Sequence, residues 1–314
     1  MATPTRMVLT RLVIALRRTK DWLIAHMIFS LLRLIALFPA DPAIGFVDRM
    51  ARRIGPLTRR HKLALTNLAR AYPEKTEAEH EMIARDMWGN MSRLATEYVF
   101  LDQLFDFDPE ASEPGRIEVE GAEIFLKLRD TNKPFIVFTA HTGNFELLPI
   151  AAASYGLDVM ALFRPPNNPY IAAKVLAARQ TSMGHLVPSR AGAAFALARR
   201  LESGRGVGLL VDQKFHKGAK TRFFGLDAHT NPLLAKLVRQ YECDVYPARS
   251  IRLPNGRHRL EIEPAIPIPR QPGGGVDIAA TAQLLNDKVE SWVREHPGQW
   301  QWFHDRWQIK HLIK

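Results

Sequence analysis

One cysteine, Cys243, stands among 314 residues. A lone thiol excludes an intrachain disulfide and any metal site built on several cysteines, and it fits a reducing compartment. Long apolar runs are equally scarce. Only Trp22 to Phe38 qualifies, which excludes a polytopic membrane protein. The composition of a disordered chain is absent too: 46% of residues are hydrophobic and 24% charged, so a packed core is expected. There is no internal repeat, no GxSxG nucleophile elbow, no P-loop and no zincin-spaced histidine set. Gly204, Gly206 and Gly208 form a GxGxG run, but it precedes a strand and reads as a turn.

What is abundant is positive charge, and it is unevenly placed. The formal net charge is +11. Residues 1–70 carry 13 Lys and Arg against three acids, Asp21, Asp41 and Asp48, while the rest is close to balance. The apolar run lies inside this basic segment. It has 17 residues and one full charge, Arg33, short of the roughly 20 needed to span a bilayer. His26, Ser30 and Arg33 are spaced by four and three and so share one helical face. That suits a membrane helix over about 22–38, lying in the interface or inserted with one face on protein. Arg17, Arg18 and Lys20 flank it on one side, and Arg49, Arg52, Arg53, Arg59, Arg60 and Lys62 on the other. Each contributes about 1 kcal/mol near an anionic leaflet. A buried core helix beside a basic neighbour is the competing reading. A cleaved leader is not expected, because the run starts late and no small-x-small site follows it. The same clustering argues against a nucleic-acid binder, whose charge lies on a folded face with aromatics.

Periodicity divides the chain into a basic N-terminal segment, 1–60, and a domain over 61–314. Residues 61–104 read helical, broken at Pro73, with Thr76 and Glu79 forming a capping box. From Ile117 onward short apolar runs alternate with helical stretches: 135–138, 159–162 and 207–211 suit buried strands. Residues 144–155, 170–183, 191–202 and 278–295 suit helices. Pro254-Asn255-Gly256-Arg257 between two strand-like runs signals a hairpin. The fold class is α/β, a mixed sheet flanked by helices, preceded by the N-terminal hydrophobic helix.

The sharpest local feature is Thr139-Ala140-His141-Thr142-Gly143-Asn144-Phe145-Glu146. A strand ends, a histidine sits in the turn, and a glutamate follows five residues later in the first turn of a helix. Ligands of open α/β sheets bind at such strand ends. An imidazole, with an ordinary pKa of ~6.5, accepts a proton at neutral pH. A nearby carboxylate can hold its other nitrogen and favour the imidazolium. Gly143 permits a tight turn and close approach, and helix N–H groups are candidates for stabilising an oxyanion. A turn histidine beside a dipole-satisfying glutamate is the plain alternative.

His141 and Glu146 after a strand resemble the H-x4-D/E motif of glycerolipid acyltransferases. Asn67-Leu68 with Tyr72-Pro73-Glu74, Phe163-Arg164-Pro165 with Asn168-Pro169, Asp212-Gln213, Phe223-Phe224-Gly225, and Pro297-Gly298-Gln299-Trp300-Gln301-Trp302-Phe303-His304-Asp305-Arg306-Trp307 follow in order. Together they resemble the bacterial lipid A secondary acyltransferases, from about residue 60 to 307.

That resemblance implies an inner-membrane enzyme with its site on the cytoplasmic side and a glycerolipid-acyltransferase-like fold. It would move a fatty acyl chain from an acyl carrier protein thioester, or an acyl-coenzyme A, to a hydroxyl on a lipid A precursor. His141 would be the general base and Glu146 would orient and charge it; no covalent intermediate, metal or other cofactor is implied. Because acceptor and donor are both acidic, Arg164, Arg179 and Arg190 are expected to bind them, with Gly143 and Asn144 beside them and Asp212 holding one of the arginines. His304 and Arg306 read as structural. Partners are the carrier protein, the lipid A precursor and membrane lipids, with no nucleic acid, and the chain is expected to be a monomer. Another amphiphilic acceptor (a phosphatidylinositol mannoside, a lysophospholipid or an ornithine lipid) and a non-catalytic membrane scaffold are the alternatives.

Overall fold

The computed structural model describes residues 4–106, 115–182 and 184–309. Two helices open the chain, α1 (Pro4–Ile35) and α2 (Ala40–Ile54). The long α1 starts well before the apolar run and stops short of its end. Among the described residues, no helix is long and apolar enough to cross a membrane. Next come α3 (Arg59–Ala71), α4 (Glu77–Glu97) and the short α5 (Leu101–Leu104). The capping box forms as expected: Thr76 Oγ1 accepts from Glu79 N, and Glu79 Oε2 accepts from Thr76 N at 2.8 Å. Across residue 60, where sequence reading draws its boundary, α2 packs on α4. Arg52 reaches inward to Asp48 and Asp86, and Arg93 to Asp48. Arg52 is therefore part of this junction and not of an outward basic cluster.

The α/β body then alternates: β1 (Ile117–Glu120), α6 (Ala122–Arg129), β2 (Phe135–Thr139), α7 (Leu147–Ser154), β3 (Val159–Phe163), α8 (Pro169–Ser182), β4 (His185–Pro188), α9 (Ala193–Glu202) and β5 (Gly206–Leu210). A hairpin of β6 (Lys214–Phe223) and β7 (Leu226–Thr230) interrupts the rhythm. It is followed by α10 (Leu233–Tyr241), β8 (Asp244–Arg252), β9 (His258–Ile262) and α11 (Ile278–Glu295). Seven strands form one sheet in the order β1-β9-β8-β2-β5-β3-β4. Every pair in it is parallel except β8 with β9, which are antiparallel around the expected turn at 254–256. The mixed sheet is thus observed.

Strand β2 is central and buried on both faces, as its unbroken apolar run requires. Ile136 and Phe138 face a core shared with α3, α4, α11 and the C-terminal tryptophans. Phe135 and Val137 face a second core with α6 and α7. The β6–β7 hairpin has no counterpart in the sequence reading. Its turn is Phe224 and Gly225, both at positive φ, 54° and 69°, the backbone of a two-residue hairpin loop.

Candidate active site

The register of two parallel strands builds the site. Thr139, the last residue of β2, pairs with Leu210, the last of β5, and Val211 N continues the ladder by donating to Thr139 O at 3.1 Å. Two residues beyond each strand end stand His141 and Asp212. They meet directly: His141 Nδ1 lies 2.7 Å from Asp212 Oδ1. Asp212 Oδ2 accepts from His141 N at 2.9 Å and from the Trp300 indole N–H at 2.8 Å. Burial alone would raise the Asp212 carboxyl. The charge of His141, its two hydrogen bonds and the Trp300 indole outweigh this and hold it well below the usual carboxylate range.

A carboxylate at Nδ1 fixes the proton there and leaves a lone pair on Nε2. Gln213 Nε2, 3.2 Å away, donates to that lone pair. The Phe145 ring packs edge-on at 4.9 Å and holds the imidazole plane. Gly143 is required by the turn. Its φ is +56°, and a β-carbon there would sit 2.2 Å from Ser250 O.

His141, Glu146 and Arg164 line one cavity of about 250 Å³. Its remaining wall is apolar, with Phe125, Val137, Leu148, Val159 and Ala161 among the lining residues. It runs between the sheet and the layer of α6 and α7, a greasy slot with a polar end. Gly208 lies in the wall, where a β-carbon would meet Val159 and Ala161 at 3.4 and 3.7 Å.

Several expectations change here. Helix α7 begins at Leu147, so Glu146 precedes the helix as its N-cap residue and does not lie in its first turn. The carboxylate on the histidine Nδ1 is that of Asp212, not of Glu146, which is buried on the cavity wall. Among the described residues, the hydrogen bonds of Asp212 go to His141 and Trp300 and not to an arginine. Asn144 turns away from the cavity to donate to Glu97 Oε2 at 2.8 Å. Arg190 is exposed in the turn before α9 and does not line the cavity. The side chain of Arg179, on α8, lies outside the described residues. Four amides of this turn are already taken by carbonyls. Thr142 N and Gly143 N donate to Ala140 O and Gln299 O, and Leu147 N and Leu148 N to Asn144 O and Phe145 O.

The C-terminal block finishes the site from behind. Thr142 bridges Trp300 as a two-residue antiparallel pair. His304 Nε2 accepts from Lys214 N at 3.1 Å, and burial pushes its imidazole down to about 4. Arg306 is fully buried, bonded to His229 O, Thr230 Oγ1 and Asn286 Oδ1, and burial lowers its guanidinium to about 10. Both are structural. Sequence reasoning missed Gln213 and Trp300 as neighbours of the imidazole and its carboxylate. The available signal was positional: a polar residue two places past each of two apolar strands. Among the described residues, no three His, Cys, Asp or Glu side chains gather to hold a metal ion.

A histidine joined to a buried carboxylate at the carboxyl ends of two parallel strands, above an apolar slot, is the arrangement of an α/β enzyme site with room for an apolar chain. The comparisons narrow this. The family described as bacterial lipid A biosynthesis acyltransferase matches residues 10–309. A lipid A biosynthesis myristoyltransferase of Escherichia coli strain K12 is 27% identical over 274 residues, 85% of this chain and 81% of that protein. Lipid A biosynthesis acyltransferase 2 of Shigella flexneri is 25% identical over 286 residues, 90% of this chain and 87% of its own length. The chain belongs to the bacterial lipid A biosynthesis acyltransferase family and is an acyltransferase.

Proposed function

We propose that the protein transfers a fatty acyl chain from an acyl carrier protein thioester to a hydroxyl of a lipid A precursor, with His141 as general base. One observation carries the reading: the His141 imidazole, tied at Nδ1 to Asp212, stands with Glu146 and Arg164 at the polar end of an apolar slot. The acceptor hydroxyl gives its proton to Nε2 as its oxygen attacks the thioester carbonyl carbon. A carbon–oxygen bond forms, the oxyanion collapses, the carbon–sulfur bond breaks, and the leaving sulfur takes the proton back from Nε2. Gln213 yields its place beside Nε2 to the hydroxyl. Asp212 fixes the tautomer, and Glu146 on the wall adds a second negative charge that favours the imidazolium. Arg164, exposed at the cavity, offers a planar guanidinium to the oxyanion or to a phosphate of the acceptor. The acyl tail fills the slot.

We further infer that the protein works at the cytoplasmic face of the inner membrane, as a monomer, where a carrier protein delivers its cargo. Two helices support this. Along α1, Leu16, Leu23, Met27, Leu31 and Leu34 are exposed. On α2, Phe46, Met50 and Ile54 are exposed in one stripe, with Arg49 and Arg53 along its flank. Apolar side chains bordered by arginines suit a helix pair lying in the headgroup region of an anionic leaflet.

The test is acyl transfer by the purified full chain, with acyl carrier protein thioester and a lipid A precursor in mixed micelles, read by mass spectrometry. A single acyl increment on the acceptor is expected. His141→Ala should lower the rate by about 10³-fold or more; unchanged turnover in that variant removes the base assignment. Product only with acyl-coenzyme A, or only on another amphiphile, replaces the donor or the acceptor in this reading.

A further inference from the structure

The turn that carries His141 rests on a buried ion pair that neither motif reading nor the comparisons single out. Glu97 ends α4 and Arg252 ends β8. Their side chains are only 3% and 8% exposed. Arg252 grips both carboxylate oxygens: Nη2 donates to Glu97 Oε2 at 2.9 Å, and Nη1 to Oε1. Oε2 also accepts from Asn144 Nδ2. Burial would raise the Glu97 carboxyl, but Arg252 and His258 hold it well below the usual range, so the pair is charged.

Further bonds close a ring around the turn. Arg252 Nε donates to Asn90 Oδ1 at 3.0 Å. Asn90 Nδ2 donates to Gln299 O at 3.0 Å and to Gly143 O at 3.3 Å. Gln299 Oε1 accepts from Arg252 N at 2.8 Å, and its Nε2 donates to Arg252 O at 2.9 Å. Gly143 N donates to Gln299 O at 3.1 Å. The two residues following Thr142, between His141 and Glu146, are therefore held by α4, β8 and the C-terminal block at once. Neither Glu97 nor Arg252 lines the cavity.

A charged pair in this setting is a poor source of stability. Desolvation offsets most of its attraction, and an apolar pair of similar volume is commonly as stable or more so. What an apolar pair cannot do is hold Asn144 and, through Asn90, the carbonyl of Gly143. We propose that Glu97 and Arg252 are positioning residues for the acyl transfer: they orient the turn between His141 and Glu146 and are needed for turnover more than for folding. The proposal rests on His141 as base.

The test separates folding from turnover. Wild type, Glu97→Gln and the double variant Glu97→Leu/Arg252→Met are compared for Tm and, separately, for kcat and KM. The double variant strands the buried polar groups of Asn90, Asn144 and His258, so it is expected to melt below wild type but to fold, with kcat lowered about 100-fold and KM for the acceptor nearly unchanged, the loss that misplacement by about 1 Å produces. Glu97→Gln, which keeps the shape but leaves Arg252 an uncompensated charge, should lose both Tm and kcat. A double variant that is folded at the assay temperature and keeps wild-type kcat overturns the proposal. Should the double variant melt below the assay temperature, Asn144→Ala decides, since it cuts the link to the turn and leaves the ion pair in place. A kcat loss of about tenfold at near-native Tm supports positioning, and wild-type kcat refutes it. His141→Ala run alongside keeps the two readings apart: full activity there sinks the base assignment itself.

Discussion

Asp212 accepts three hydrogen bonds, from the ring and backbone of His141 and from Trp300. Replacing it by asparagine keeps its shape and removes its charge. An amide can present its NH2 to Nδ1, which moves the ring proton to Nε2 and takes away the basic lone pair. Asp212→Asn is therefore expected to lower kcat by about 10³- to 10⁴-fold, with native near-ultraviolet circular dichroism, as single-turnover kinetics would record. At this scale the sequence was half legible. His141 and Gly143 were marked by their position after a strand, and the glycine by its need for a positive φ. The identity of the histidine's carboxylate was not, because Glu146 is five residues away in sequence while Asp212 is 71. Local spacing favours the near acid; the strand ladder brings the far one. Asn144 was misjudged for a related reason. Nothing in its neighbourhood along the chain announces Glu97, its partner from another element.

Among the elements, β5 contributes twice: Asp212 stands two residues past its end, and its middle, Gly208, opens the slot. A β-carbon there enters ordinary contact with Val159 and Ala161, so a larger side chain fills space an acyl tail would use. Gly208→Val is expected to shift donor preference toward shorter chains, with kcat/KM for a long donor relative to one two carbons shorter falling roughly tenfold. Competition between two carrier-bound acyl chains, read by product mass, measures it. An unaltered preference would mean that the tail lies elsewhere. The strands and helices of the body were readable from period and punctuation, down to the capping box at Thr76. The β6–β7 hairpin was not. Its Phe224 adopts a positive φ that an aromatic rarely takes, so the usual Asn-Gly or Asp-Gly signal was missing. The extent of α1 was also misread, since hydropathy marks only the apolar portion and not the polar turns that continue it.

For the whole molecule, buried ionisable groups set the response to acid. His304 is depressed from 6.5 to about 4 by burial. As pH falls below 6.5 the unfolded chain takes up a proton that the native His304 refuses until about 4. Stability is therefore intact near neutrality and lost across that window, by about 2 kcal/mol after allowance for partial solvent access. His258 and His296 shift the same way, each led by burial. Glu97 and Asp212 carry depressed values, so their contributions persist through this window and fail only in stronger acid. Urea unfolding at pH 7 and pH 5 should show the loss, and His304→Gln should flatten the slope. Equal stability at both pH values would contradict the assignment. The global architecture, a mixed sheet between helical layers, was legible because strand and helix periods alternate so regularly; strand order was not, since pairing between distant segments leaves no local mark. One long-range contact reaches into biosynthesis. Trp300 and Gln299 grip the same turn that β2 supplied some 160 residues earlier. A polypeptide still on the ribosome lacks these braces until those late residues emerge, so a chain cut short before Gln299 is expected to show no acyl transfer.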